Sequence, residues 1–208
     1  PSSPYSGGAV LGDRIRMASN AGDMDVFFRS MSARGSLGGL STATTDAVTA
    51  LDAFGKDYVI VETVGAGQNE VDIVRTADTV AVLVPPGSGD DVQMLKAGIL
   101  EIGDVFVVNK ADLEGADRTV QQLREMLQGR STAGHHGASG AEIAEASTAA
   151  DSGQWEPPIV ETVANRGEGV EAFMDALADH SGYLDRTGRR EQQARERFAA
   201  EIRTLLRE

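Results

Sequence analysis

Val105-Phe106-Val107-Val108-Asn109-Lys110-Ala111-Asp112 decides the reading of this chain. Four consecutive apolar residues, three of them β-branched, leave no polar side for water. A strand of this kind is covered on both faces, as strands in parallel sheets are. The polar residues that follow sit at its carboxyl end, where ligand-binding loops belong in such sheets. Their chemistry suits guanine. The Asp112 carboxylate can accept two hydrogen bonds, from the ring N1–H and the 2-amino group, a pair that adenine does not offer. Asn109 can bond the N7 edge and tie neighbouring loops, and the Lys110 stem can lie over the base plane, with Ala111 between it and Asp112.

Working outward, other apolar runs have the same character. Tyr58-Val59-Ile60-Val61 and Thr79 to Val84 read as buried parallel strands, and Ile159-Val160, opened by Pro157-Pro158, as a weaker one. Helical stretches alternate with them: Thr42 to Phe54 closed by Gly55, Asp90 to Ile102 closed by Gly103, and Arg118 to Leu127. Strand and helix in alternation predict an α/β fold, a mostly parallel sheet with flanking helices joined by right-handed crossovers. Residues 129–156, rich in Ala, Ser, Thr and Gly, read as an insertion whose end Trp155 anchors. From Arg189 to Glu208 a charged helix carries Phe198, Ile202, Leu205 and Leu206 along one face, to pack back on the domain or meet a second subunit.

Glu62-Thr63-Val64-Gly65-Ala66-Gly67-Gln68 follows the run 58–61. An acid here can hold Mg²⁺ through water, and a following glycine lets a backbone N–H reach a γ-phosphate. Glu62 suits the first role and Gly65 the second. Gln68 can sit beside an attacking water or simply open a helix. In Gly7-Gly8-Ala9-Val10-Leu11-Gly12-Asp13-Arg14-Ile15-Arg16-Met17, Asp13 is a second candidate for the metal, and the arginines supply cations near phosphate. Taken alone, that stretch is equally a glycine-rich loop entering a helix. Gly38-Gly39 reads as a switch segment or an ordinary turn. His135 and His136 have no further ligands at zinc spacing. His180 falls late in a helix and needs no special role.

Composition narrows the classes. The 208 residues carry 32 acidic and 19 basic side chains, a net charge of −13, with only three lysines. Nucleic acid and anionic membrane both demand a basic face, so neither is expected as a partner. No apolar run approaches the roughly 18 residues of a membrane span. The absence of cysteine excludes disulfides and thiolate chemistry and fits a cytoplasmic protein. Abundant carboxylates with little lysine suit either a salt-adapted cytoplasm or a genome that prefers Arg. The first residue is Pro1, which fits a processed chain or a fragment.

Taken in order, the Gly7–Met17 stretch, Leu37-Gly38-Gly39-Leu40, Val61 to Gln68, the Gly89–Gly98 stretch and Val108 to Asp112 resemble the methylmalonyl-CoA mutase-associated GTPases of the MeaB or ArgK type. The likeness covers about residues 1–128 and resumes at 157–184. It implies a P-loop NTPase fold. Asp13 and Glu62 would then serve as Mg²⁺–phosphate ligands, Glu62, Gly65 and Gln68 would act in GTP hydrolysis, and Asn109 to Asp112 would hold the base. Val163, Ala164 and Asn165 would form the loop backing the base, where Val163 replaces the usual Ser or Thr. The resemblance further implies GTP/GDP and Mg²⁺ as cofactors and a cobalamin-dependent methylmalonyl-CoA mutase as client. It also implies a homodimer formed through the C-terminal extension.

No Gly-x-x-x-x-Gly-Lys-[Ser/Thr] occurs in the 208 residues; Gly55-Lys56 precedes Asp57. In the resembling family that loop, with its strand and helix, comes before the segment matching Pro1-Ser2-Ser3-Pro4. The expectation is therefore residues 1–184 as a GTPase domain lacking its N-terminal strands, with 185–208 as a helical arm and candidate dimerisation element. GTP turnover by the chain alone should be weak or absent, because such a loop supplies most of the phosphate contacts. Two other readings stand beside this one: a mutase-binding module that works without nucleotide, and a GTPase metallochaperone, against which the absence of cysteine counts.

Overall fold

The computed structural model describes residues 23, 25–29, 31, 42–63, 70–87, 97–133 and 154–206. The chain forms two compact units, Pro1–Ala77 and Asp78–Glu208.

In the first unit, α1 (Thr42–Ala53) matches the predicted helix, and α2 (Glu70–Thr76) is short. The run 58–61 corrects the sequence reading: it belongs to no strand, with Tyr58 67% and Ile60 91% exposed. β-branched residues favour extended backbone, but a strand exists only through a ladder partner, and no described residue pairs with this run.

The second unit holds β1 (Ala81–Val84), α3 (Ala97–Ile102), β2 (Val105–Asn109), α4 (Ala116–Ala133), β3 (Ile159–Thr162), α5 (Val170–Thr187) and α6 (Arg189–Leu205). The three strands form a parallel sheet in the order β1-β2-β3, so β2 is central. Alternate side chains of β2 enter two separate cores. Phe106 and Val108 pack with Val84, Leu100, Val120 and Leu123 on the α4 side. Val105 and Val107 pack with Ala176 and Phe173 of α5 on the other. Coverage on both faces explains why this strand has no polar position before Asn109. Truncating Phe106, fully buried at 0% exposure, should cost about 3–5 kcal/mol.

α4 outruns the predicted 118–127 at both ends and takes in the first residues of the supposed insertion, whose residues 134–153 lie outside the described ones. The same holds for Asp90 to Lys96 at the start of the predicted helix before β2. Gly188, in the left-handed conformation at φ 70°, lets the chain turn from α5 into α6. α6 is held by its polar side: Arg190 and Arg197 both reach Asp78, at 3.3 and 2.6 Å. Phe198, Ile202 and Leu206 are exposed.

Candidate functional site

Asn109 is the last residue of β2 and stands in register with Thr162, the last of β3. Its side-chain oxygen Oδ1 accepts three hydrogen bonds: from the Lys110 N–H at 2.8 Å, the Thr162 hydroxyl at 3.1 Å and the Ala164 N–H at 3.2 Å. Two backbone N–H donors fix the amide orientation, since only the oxygen can receive them. Among the described residues the side-chain NH₂ has no partner. The Ala111 N–H donates to the Thr162 carbonyl at 3.0 Å, stitching the loop after β2 to the end of β3. Lys110 takes a left-handed conformation at φ 62°, unusual outside glycine, and this turns the chain sharply away from the strand.

Beyond that turn, Asp112 faces an open cleft of about 270 Å³ with Ala111, Glu161, Thr162, Val163, Glu168 and Gly169. Val163 is buried, and its N–H donates to the Glu168 carbonyl at 3.0 Å, closing a small antiparallel bridge around the 3₁₀ turn Ala164–Arg166. Only glycine suits position 169. Its φ is 73°, and a Cβ there would lie 2.1 Å from the Glu161 carbonyl oxygen. On the far side of that turn, Arg166 Nη2 reaches Asp112 Oδ2 at 3.2 Å and Nη1 lies 4.0 Å from Glu168 Oε1.

The structure thus brings Asn109, Ala111, Asp112, Val163 and Ala164 together. Lys110 and Asn165 are exposed and do not line the cleft. Thr162, Arg166, Glu168 and Gly169 complete the corner, and the sequence reading missed them. A hydroxyl just before Val163 was the available signal for Thr162, which ties Asn109 where a Ser or Thr was expected one position later. Glu62 is exposed in the first unit. Asp13, Gly65, Gln68, His135 and His136 lie outside the described residues.

The opposite end of β2 is built differently. Asp104 precedes the strand; its Oδ2 accepts the Val80 N–H at 2.8 Å, and its Oδ1 lies 3.4 Å from His180 Nε2. His180 Nδ1 is 2.8 Å from the Thr79 hydroxyl. Trp155 donates its indole N–H to the Asp104 carbonyl at 2.7 Å and packs against His180 and Tyr183, ring centroids 4.8 and 5.4 Å away. Trp155 does anchor the chain as it re-enters after the insertion. Burial pushes the Asp104 carboxyl above its usual range, opposed by the Val80 bond and His180. Burial likewise holds His180 below its usual range, opposed mainly by Asp104.

A family model matches the chain that carries this Asn-Lys-Ala-Asp loop at the carboxyl end of its central parallel strand. That model describes the methylmalonyl Co-A mutase-associated GTPase MeaB and matches residues 1–208. The chain belongs to this family.

A Pyrococcus abyssi protein whose name marks it as an inferred GTPase is 48% identical over 206 residues, covering 99% of this chain and 59% of its own length. The GTPase ArgK of Escherichia coli is 34% identical over 193 residues, covering 92% of this chain and 54% of its own. The chain therefore spans little more than half the length of these relatives. A crystal structure of a LAO/AO transport system kinase superposes with a TM-score of 0.57 at 24% identity, covering 78% of this chain and 47% of that one. That likeness shows the P-loop type of α/β fold. Among the described residues no helix is long and apolar enough to cross a membrane.

Proposed function

We propose that this MeaB-family chain recognises guanine nucleotides through Asn109–Asp112 and serves a cytoplasmic GTP-binding, GTP-hydrolysing chaperone of a cobalamin-dependent methylmalonyl-CoA mutase. The observation that carries the reading is the Asn109 side chain. Its oxygen is consumed in tying β2 to β3 while its NH₂ donors have no partner among the described residues, so the corner is rigid and still able to donate. Asp112 supplies the complementary acceptors. The family description supports the mutase as partner.

For Mg²⁺, Glu62 offers an exposed carboxylate suited to water-mediated binding. Among the described residues no group of three acids or histidines converges on a metal position, so Glu62 is here a single-ligand proposal and Asp13 its companion from sequence. Bound Mg²⁺ would neutralise phosphate charge. Gly65 and Gln68 keep their proposed roles at the γ-phosphate and the attacking water. Residues 185–208 are proposed as the subunit contact of a homodimer, with the exposed Phe198 and Ile202 of α6 available for it.

The test is competition against a fluorescent GTP analogue with Mg²⁺ present. Displacement by GTP and GDP but not by ATP is expected; equal displacement by ATP would sink the guanine assignment. A second reading is a mutase-binding module independent of nucleotide. Capture of the mutase undiminished by removing nucleotide would favour it over a GTP-gated chaperone.

A further inference from the structure

The carboxylate assigned to the base already has a partner. Arg166 Nη2 lies 3.2 Å from Asp112 Oδ2, with the two side chains 57% and 30% exposed. A guanidinium carries its N–H groups on a planar N–C–N unit. Guanine's N1–H and 2-amino group belong to an N–C–N unit of the same kind, so the two offer a carboxylate the same donors from the same geometry. The backbone beneath Arg166 is fixed: its N–H donates to the Val163 carbonyl at 2.9 Å, and the turn closes at Gly167 in the left-handed conformation. The side chain above is 57% exposed, and a second carboxylate, Glu168, stands 4.0 Å away to receive it.

We infer that Arg166 is an internal stand-in for guanine, pairing with Asp112 while the site is empty and passing to Glu168 when the base arrives. This rests on the guanine reading of Asp112. Arg166 holds the acceptor in place between ligands, and its departure lowers the net gain on binding. An exposed ion pair is weak, so the effect is a modest tuning of affinity. It also has a sign opposite to phosphate binding. Salt screens the Arg166–Asp112 pair, so an uncharged guanine ligand should bind more tightly as ionic strength rises. Phosphate contacts would weaken under the same change.

The experiment is a titration of the full 208-residue chain with guanosine, which has no phosphate, followed by shifts of backbone amide resonances at about 50 and 500 mM NaCl. Wild type, Arg166→Ala and Asp112→Asn are compared. At low salt Arg166→Ala should bind guanosine roughly two- to five-fold more tightly than wild type. At high salt wild type should approach the variant, and Asp112→Asn should not bind. Equal affinities and equal salt responses in wild type and Arg166→Ala would overturn the stand-in and leave the guanine reading intact. Weaker binding by Arg166→Ala would also overturn it, by making Arg166 a ligand contact. No binding by either protein, with dispersed spectra proving them folded, would remove the guanine reading and the stand-in with it.

Discussion

At the start of β2, Asp104 is enclosed by Trp155, His180 and the Val80 backbone; just past its end, Asp112 stands in an open cleft opposite an exposed arginine. Both carboxylates border the same buried five-residue strand. What differs is how each finds its partners. Asp104 is satisfied by groups from β1's approach, α5 and the residues before β3, so the corner is closed and its polar atoms are spent on holding elements together. Asp112 meets the exposed Arg166 side chain, and neighbouring Asn109 is tied, among the described residues, through its oxygen. In a parallel sheet crossovers return to the amino ends of the strands while loops splay at the carboxyl ends, which leaves room for a ligand on that side alone. The Asp104 and Asp112 side chains are equally exposed, 30% each, so the difference lies in their partners: the buried His180 and the Val80 backbone for Asp104, an exposed arginine for Asp112.

That contrast can be broken at either end. The largest effect expected is on binding. On the proposed guanine reading, Asp112→Ala would remove two charge-assisted hydrogen bonds to the base, and preference for GTP over ATP should fall on the order of 100-fold in competition assays. A preference that survives would place base recognition elsewhere. At the closed end, His180→Ala leaves Thr79 and Asp104 without a buried partner and opens space beside Trp155. A loss of about 2–3 kcal/mol in urea-unfolding stability should follow, with little change in guanine preference. Thr162→Val keeps shape and removes one of the three donors to Asn109. It should cost about 1 kcal/mol and weaken base binding slightly; an unchanged stability would mean the tie is not needed.

The smallest effect is a pH slope. The folded protein holds His180 below its ordinary value of 6.5. Below 6.5 the unfolded chain therefore takes up protons that the folded one refuses, and stability should fall as pH drops through that window. Asp104 has the opposite sign: its raised value means that the folded chain holds the proton more tightly, so stability falls as pH rises above the ordinary 3.8. Denaturation midpoints measured from about pH 5 to 8 should show acid destabilisation in wild type that His180→Gln lacks. The same slope in both proteins would assign it to another group.

How far the sequence could be read follows from this geometry. β2 was legible because a strand buried on both faces leaves an unbroken apolar run, and Asn109 and Asp112 because loop chemistry lies in adjacent residues. The run 58–61 looked equally strand-like and pairs with none of the described residues, since composition says nothing about pairing. His180 gave no signal because a histidine late in a helix is ordinary until Asp104 and Thr79 are brought beside it.

The α/β class, the central strand, the polar loop at its carboxyl end and the acidic charge that argues against nucleic acid as a partner are all properties carried by neighbouring residues or by sums over the chain. Tertiary structure alone decided that Thr162 and Ala164 lock Asn109, that Arg166 faces Asp112, and that Asp104 meets His180. The register of β3 on β2 brings the first two relations about, and the packing of α5 across the sheet the third. Local propensity leaves such pairings open, because they join groups separated by long stretches of chain.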